Sequence, residues 1–167
     1  MASTKSRGTS RRTTALPTPS SILFVASHLG LSGSTERLRC CVHSLAQAGT
    51  RVTLATPGGC RRDEFAEEGV EIVHWRGELR PWQVPFVARR MQKLARAVEA
   101  DLTYVLGAGL APLGARLAGP YVLELTGPVS APLDHHPEHL LAVVHACRTL
   151  EEGAVNRGGL PRDRMRM

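Results

Sequence analysis

Ser21-Ile-Leu-Phe-Val-Ala-Ser27 begins the part of the sequence that says most about structure. Short apolar runs of this kind form parallel strands that are covered on both faces. A second run, Arg51-Val-Thr-Leu-Ala-Thr56, follows Gly49, a residue typical of a helix end. The segment between the two runs has the pattern of an amphipathic helix. Residues 21–57 therefore predict one strand–helix–strand unit.

The connection between the first strand and this helix offers a possible anion site. Its sequence is Gly30-Leu-Ser-Gly-Ser-Thr-Glu-Arg37. Glycines let a ligand approach the backbone, and the first turn of a helix presents amide groups that have no acceptor within the helix. Gly30, Ser32, Gly33 and Ser34 are therefore predicted to face a phosphate or a carboxylate. A plainer interpretation stays open, in which the two glycines serve only the turn and the helix entry.

The rest of the chain alternates strands and helices. We expect strands at 70–75, 102–106, 121–126 and 140–144, and helices at 61–69, 83–100, 110–118 and 146–157. This alternation predicts an α/β fold with a doubly wound, mainly parallel, Rossmann-like sheet, which binds ligands at the carboxyl ends of its strands. His28 and Gly127 follow predicted strands and Thr126 ends one, so these three residues join the candidate binding site. A histidine in a loop that binds only water or backbone is the alternative for His28.

Composition excludes several classes of protein. The chain has 167 residues, of which 43% are apolar and 22% charged, as in ordinary globular domains. The formal net charge is +6, but residues 1–20 hold four basic residues and no acidic one. Most of the charge thus belongs to a tail rich in Ser, Thr and Pro that we expect to be disordered. Because the remainder is nearly neutral and only 4% of the chain is aromatic, no nucleic-acid partner is predicted.

The tail has two possible targeting interpretations. Ser10-Arg11-Arg12 resembles part of a twin-arginine signal, and the acid-free composition is similar to that of an organellar transit peptide. The apolar run at 22–26 is too short for an export signal, and no stretch of the sequence is apolar for long enough to cross a bilayer. We therefore predict a cytoplasmic protein without a transmembrane segment.

The usual ligand of a doubly wound sheet is a dinucleotide, and the sequence argues against one. Residues 30–33 contain G-x-x-G rather than G-x-G-x-x-G. The second strand ends in Ala55-Thr56-Pro57, without the acidic residue that binds a ribose hydroxyl. The G-K-[ST] ending of a P-loop does not occur. We therefore predict no cofactor.

Histidine and cysteine patterns give weaker candidates. His135-His-Pro-Glu-His139 matches the H-x-x-E-H pattern of a zinc peptidase, but Pro137 prevents one helix from presenting both histidines. No metal is therefore predicted. The four cysteines have no C-x-x-C spacing, so we expect reduced thiols. Of Cys40 and Cys41 in the first helix, one is expected to face the core as a small buried residue.

Three other side chains have two interpretations each. Glu124 lies within the predicted fifth strand, where it is either paired in the core or placed at an exposed margin. Trp75 and Trp82 flank a loop that contains Arg76 and Arg80. The tryptophans either stack on a sugar or, as we expect, pack over the edge of the sheet.

Both ends of the predicted domain resemble one family of enzymes. Ser32-Gly-Ser-Thr-Glu-Arg37, with Leu45-Ala-Gln-Ala-Gly-Thr-Arg-Val-Thr-Leu-Ala-Thr-Pro57 after it, is similar to the opening of sugar-nucleotide-dependent glycosyltransferases of the GT-B fold. That opening has the pattern G-G-x-E-R and then L-A-x-x-G-H-x-V-T-V-x-T-P. Residues 140–167 resemble the family's passage of strand, serine, helix, R-G and x-x-R-V-x-V. His145 stands where the family usually has serine, and Ser34-Thr35 interrupt the expected glycine and small residue.

The resemblance implies an N-terminal, acceptor-side domain at residues 21–167, with a nucleotide-sugar donor and an acceptor as ligands. In that family a second Rossmann-like domain supplies most nucleotide contacts and an E-x7-E motif, which this sequence lacks. We therefore expect a truncated glycosyltransferase, or one with a separately encoded C-terminal donor-binding domain, that is inactive alone. The resemblance identifies no catalytic residue. The alternative is a non-catalytic Rossmann-like binding or assembly domain.

Overall fold

A single parallel sheet forms the centre of the molecule. The computed structural model describes residues 19–75, 79–129, 132, 138–145 and 148–167. The strands in this part of the chain are β1 (Ser21–Ala26), β2 (Arg51–Thr56), β3 (Glu71–His74), β4 (Leu102–Leu106), β5 (Tyr121–Leu125), β6 (Leu140–His145) and β7 (Met165–Arg166). Their order is β3-β2-β1-β4-β5-β6-β7, and every described pair is parallel. All six residues of the central strand β1 are buried.

Helices cover the sheet on both faces. They are α1 (Gly33–Gln47), α2 (Arg62–Glu67), α3 (Val84–Ala97), α4 (Ala111–Gly114) and α5 (Arg148–Asn156). One apolar core joins α1 and α2 to the β1 face that carries Phe24. A second core joins α3, α4 and α5 to the opposite face, which carries Val25. The predicted doubly wound, Rossmann-like sheet is therefore confirmed.

The first strand–helix–strand unit agrees best with its prediction. β2 has the predicted bounds, β1 ends one residue earlier than expected, and α1 lies between them. The helix is followed by Gly49, whose φ of 83° is a left-handed conformation that glycine adopts without strain. The apolar runs are specific because both faces of these strands are buried.

Three elements differ from the prediction. Strand β7 was not predicted, because two residues in the sequence Arg-Met-Arg-Met give no strand pattern; it pairs with Val143 and Val144 of β6. The helix expected at 83–100 is a 3₁₀ turn at Pro81–Gln83 followed by α3. The helix expected at 110–118 is wrong in length, since only a 3₁₀ turn at Ala108–Leu110 and the single turn of α4 form there.

The end of α4 packs closely against β5. A Cβ atom at Gly114 would lie 2.9 Å from Cε2 of Tyr121, so the end of α4 lies directly on that ring. Tyr121 is 1% exposed and begins β5. Beyond Gly114 the chain continues in tight turns, in which the Arg116 and Leu117 amides donate to the Leu113 and Gly114 carbonyls at 3.0 Å.

Two expectations about single side chains are wrong. Cys40 and Cys41 are both exposed, because the core-facing stripe of α1 is formed by Thr35, Leu38 and Val42. Trp82 has 64% of its surface exposed and does not pack over the edge of the sheet, whereas Trp75, which follows the edge strand β3, is buried in the core.

Several predictions fall on residues outside the described part of the chain. They concern residues 1–18, Arg76, Cys147 and the His135–Pro137 portion of the H-x-x-E-H pattern. Among the described helices, none has the length and apolar character needed to cross a membrane.

Candidate functional site

The predicted site residues lie at the carboxyl edge of the sheet. His28, Gly30 and Ser32 lie in the connection between β1 and α1, Gly33 and Ser34 begin α1, and Thr126 and Gly127 follow β5. Because the strands are parallel, both groups lie at the same edge, with the end of β4 between them. His28, Ser32 and Thr126 are exposed, while Gly30 is half-buried. The topology thus places these residues where doubly wound sheets bind ligands.

Ser32 caps helix α1. Its backbone is extended, with φ −145° and ψ 156°, and its Oγ accepts a hydrogen bond of 3.3 Å from the Thr35 amide. The Ser32 hydroxyl also lies 3.0 Å from the hydroxyls of Ser34 and Thr35. The amides of Gly33 and Ser34, at the first two helical positions, have no acceptor within the helix. These two amides, more than the serine hydroxyls, are therefore the groups free to bind an anion.

The neighbouring loop after β2 holds the β1–α1 connection in place. The Leu29 amide donates to the Gly58 carbonyl at 3.0 Å, and the Arg61 amide donates to the Leu29 carbonyl at 3.3 Å. Leu29 is fully buried beneath this connection. Gly59 lies directly against the Leu29 backbone. The candidate anion loop is therefore fixed by backbone contacts before any ligand binds.

An ion-pair network joins α1 to α2 beside this loop. Glu36 Oε1 lies 2.7 Å from Arg39 Nη2, and Glu36 Oε2 lies 2.6 Å from Arg61 Nη1. The two arginines extend the network to Glu68, at 2.7 Å, and to Glu64, at 2.5 Å. Hydrogen bonds from Arg39 and then Arg61 lower the pKa of Glu36 to about 2. Glu36 is therefore ionised at neutral pH and committed to this network.

A buried carboxylate lies on the α1 side of the sheet, near the carboxyl end of β5. Glu124 is 2% exposed and accepts hydrogen bonds from Arg37 Nη2 and from the Tyr104 hydroxyl, the latter at 2.8 Å. Each carboxylate oxygen thus has a donor, as a buried charge requires. Burial and then Glu124 raise the pKa of Tyr104. Of the two interpretations of Glu124, the core pair is therefore correct.

Thr126 approaches the end of β4. A Cβ atom at Gly107 would lie 3.5 Å from Thr126 Oγ1, and the Gly107 amide donates to the Glu124 carbonyl at 2.8 Å. Gly107 has a φ of 110°, which suits glycine at this turn. The ends of β4 and β5 are therefore joined directly beneath the exposed Thr126 side chain.

His145 ends β6 at the same edge. It is 4% exposed, and its Nε2 lies 3.8 Å from Glu151 Oε2 in α5. Glu151 also lies 3.5 Å from Arg162 Nη1. His145, which replaces the serine that the resemblance led us to expect, thus packs between β6 and α5.

Sequence reasoning missed Arg37 and Gly59 as structural determinants of the site. Arg37 was quoted only as part of the E-R pattern, although its spacing from Ser32 places it in the second turn of α1. The pairing of Arg37 with Glu124 joins residues 87 positions apart, and no local pattern predicts such a contact. Among the described residues, no group of three or more His, Cys, Asp or Glu side chains could hold a metal ion.

Comparison with known proteins bears on the fold. No family model matches the sequence, and no curated protein matches it significantly. A glycosyltransferase from Rickettsia africae superposes with a TM-score of 0.69 at 14% identity, covering 87% of this chain and 41% of that one. HepE from Anabaena in complex with UDP gives a TM-score of 0.62 at 14% identity, covering 87% of this chain and 43% of HepE.

The structure is also similar to that of an enzyme of another class. UDP-GlcNAc 2-epimerase from Methanocaldococcus jannaschii has a TM-score of 0.51 and 10% identity, covering 88% of this chain and 45% of the epimerase. This chain spans about two fifths of the length of the structures it resembles. It therefore has the fold of one Rossmann-like domain of GT-B glycosyltransferases, the fold that the sequence resemblance implied.

Proposed function

We propose that this chain forms the acceptor-side domain of a sugar-nucleotide-dependent glycosyltransferase, and that its β1–α1 connection faces the diphosphate of the donor. The observation that carries the proposal is the start of α1, where the Gly33 and Ser34 amides are directed out of a serine-capped helix at the carboxyl edge of the sheet. A helix of 15 residues also places its partial positive charge there.

The surroundings of the loop support this role. Backbone contacts with the β2–α2 loop fix its shape, so little ordering entropy is lost when an anion binds. Leu31, in the middle of the loop, has 86% of its surface exposed. An exposed apolar side chain beside an anion site suits a surface that closes on a second domain. HepE, which shares the fold, was crystallised with UDP.

Transfer itself needs more than this loop. Glu124, a buried acid near the site, is held by Arg37 and Tyr104 and has no oxygen free to act as a base. The transferred sugar must be held between the leaving diphosphate of the donor and the attacking group of the acceptor. Charge that develops on the diphosphate must also be stabilised. We therefore expect this chain to bind a nucleotide sugar weakly, and to show little or no transfer without a donor-binding domain.

A pair of substitutions at Gly33 tests the proposal. Gly33 occupies the first helical position, where proline is tolerated, and the extended Ser32 before it has the backbone conformation that proline requires of its neighbour. Gly33→Pro removes one amide hydrogen. Gly33→Ala is the matched control, since it keeps the amide and its Cβ meets no atom within 4 Å.

Binding of UDP-glucose and of inorganic pyrophosphate is measured by isothermal titration calorimetry. We expect saturable binding that Gly33→Pro weakens about tenfold, the loss typical of one charge-assisted hydrogen bond, and that Gly33→Ala leaves nearly unchanged. Absence of saturable binding to the unsubstituted chain would overturn the proposal in favour of a non-catalytic assembly domain. Equal affinities of the two variants would show that the α1 amides are not the anion site.

A further inference from the structure

The exposed face of α3 and of the turn before it has an unusual composition. Residues 79–98 contain five basic residues and no acidic one. All five basic side chains are exposed; they are Arg80, Arg89, Arg90, Lys93 and Arg96. The same segment carries the exposed aromatic side chains of Trp82, at 64%, and Phe86, at 68%. A helix so composed is both strongly cationic and apolar on its outer surface.

Helical spacing gathers these side chains on one side. Phe86, Arg89, Arg90 and Lys93 follow the i, i+3, i+4, i+7 pattern of a single stripe. Trp82 precedes Phe86 by four residues, in the 3₁₀ turn that leads into α3. We call Trp82, Phe86, Arg89, Arg90 and Lys93 the α3 outer face.

The opposite stripe of α3 fixes the helix to the sheet. Val84, Ala88 and Met91 are buried, and Ala88 and Met91 belong to the core on this side of the sheet. Arg90 Nη2 donates to the His74 carbonyl at 3.2 Å, which adds a polar contact to the end of β3. The α3 outer face is therefore presented on a rigid support, with its orientation set by the core.

The cations of this face have no acidic partner in the part of the chain that the structure describes. Among the described residues, no ion pair is formed by Arg89, Arg90 or Lys93. This contrasts with Arg37, Arg39 and Arg61, each of which is paired with a glutamate. Unpaired cations around exposed aromatic rings are complementary to a surface that is anionic and has an apolar interior.

We propose that the α3 outer face binds the surface of a bilayer that contains anionic lipids. Trp82 and Phe86 would enter the boundary between headgroups and acyl chains, and Arg89, Arg90 and Lys93 would contact lipid phosphates. A nucleic acid fits less well, because the aromatic side chains lie at one end of the face and are not interleaved with the basic ones. The proposal is independent of the function proposed for the carboxyl edge.

Sedimentation with lipid vesicles tests this proposal on the full chain. One set of vesicles contains phosphatidylcholine only, and in the other part of that lipid is replaced by phosphatidylglycerol. The aromatic variant is Trp82→Ser with Phe86→Ser, and the charge variant is Arg89→Gln with Lys93→Gln. The matched control, Arg62→Gln with Arg148→Gln, removes the same charge from exposed side chains elsewhere. Circular dichroism confirms that each variant is folded.

We expect binding to the anionic vesicles only. Each basic residue near an anionic bilayer changes partitioning about fivefold, so the charge variant should bind at least an order of magnitude more weakly. The aromatic variant should lose binding to a similar or larger extent, and the control should bind like the unsubstituted chain. This pattern would support the proposal. An equal loss in the control would show that binding depends on net charge and not on the α3 outer face, and would overturn the proposal.

Fluorescence provides an independent measurement, because the chain has only two tryptophans and Trp75 is already buried. Emission of the exposed Trp82 should shift to shorter wavelength on binding vesicles, and Trp82→Phe should remove that shift. No binding to anionic vesicles, or binding without a shift, would overturn the proposal. Binding of a single-stranded oligonucleotide or of a polyglutamate peptide, but not of vesicles, with the same dependence on the variants, would overturn it in favour of that partner.

Discussion

Gly59 lies so close to Leu29 that a Cβ atom at position 59 would be 2.1 Å from the Leu29 carbonyl oxygen. The backbone nitrogen of Leu29 would be only 2.7 Å away. Gly59 also has a φ of 145°, a conformation that side chains rarely adopt. This contact joins the β2–α2 loop to the connection that carries the candidate anion site.

We predict that Gly59→Ala destabilises the protein by about 2–4 kcal/mol, because two backbone segments must separate and strain is added at this residue. Gly58→Ala is the matched control. Gly58 also has a positive φ, of 119°, but a Cβ there meets no atom within 4 Å. Urea denaturation of both variants measures the difference. Equal losses of stability would mean that the backbone conformation, and not the contact with Leu29, requires glycine.

The pairing of Arg37 with Glu124 gives a second prediction. Arg37→Leu leaves the buried Glu124 carboxylate with Tyr104 as its one remaining partner among the described residues. We expect a loss of about 2–3 kcal/mol, at the low end for a broken buried pair because water reaches the half-exposed Arg37 side chain. Chemical denaturation gives the free energy of unfolding.

A double-mutant cycle separates the ion pair from packing. Glu124→Gln keeps the shape of the side chain and removes its charge, so Arg37→Leu should cost much less in the Glu124→Gln background. Additive losses would contradict the interpretation that Arg37 compensates the buried charge. Tyr104→Phe, which removes the other donor, should cost about 1 kcal/mol and leaves the ion pair in place.

The cap of α1 gives a third prediction. Ser32→Ala removes the acceptor of the Thr35 amide and should destabilise the protein by about 1 kcal/mol, whereas Ser32→Gly should cost only a few tenths. Ser34→Ala is the control. The Ser34 hydroxyl contacts only Ser32 Oγ among the described residues, so its loss should change stability by less than about 0.5 kcal/mol. Thermal unfolding ranks the three variants; a larger effect at Ser34 would contradict the assignment of Ser32 as the cap.

Sequence patterns predicted the elements that are buried on both faces. β1 and β2 follow from apolar runs, because burial on both faces dictates residue type along the whole strand, and α1 follows from its amphipathic pattern and the glycine after it. The two-residue strand β7 has no such pattern, and its position depends on pairing with β6. After the short α4 the chain continues in tight turns with hydrogen bonds to Leu113 and Gly114, which local propensity does not distinguish from an α-helix.

The candidate site was predictable only as a place in the fold. The alternation of elements locates the carboxyl edge, and the serine before the helix gives the cap. The loop is fixed by a contact between Leu29 and Gly59. The negative charge of Glu124 is compensated by Arg37, which lies on another element. Such contacts depend on how elements meet across the sheet. The exposure of Trp82 was unpredictable for the same reason. The amphipathic pattern of α3 identifies the stripe that faces the core, but it does not show whether a side chain outside that stripe contacts another element.

The Glu36 network predicts how stability depends on pH. The pKa of Glu36 is lowered from 4.5 to about 2 by Arg39 and Arg61, so the folded protein holds this carboxylate ionised at pH values where the unfolded chain binds a proton. The contribution of Glu36 to stability is therefore complete above about pH 4.5 and is lost as the pH falls toward 2. Arg61 also lowers the pKa of Glu64, which adds a contribution of the same sign.

Glu36→Gln isolates the first of these contributions. The variant should be less stable than the unsubstituted chain at pH 7, and the difference should shrink as the pH is lowered from about 5 to about 2, because protonation then removes from the unsubstituted chain the charge that the variant already lacks. Glu67→Gln, at an exposed position in α2 without an ion pair among the described residues, is the control and should give a curve parallel to that of the unsubstituted chain. Urea denaturation at a series of pH values provides the curves. A difference at Glu36 that is independent of pH would mean that the side chain stabilises α1 and α2 by packing and not by its charge.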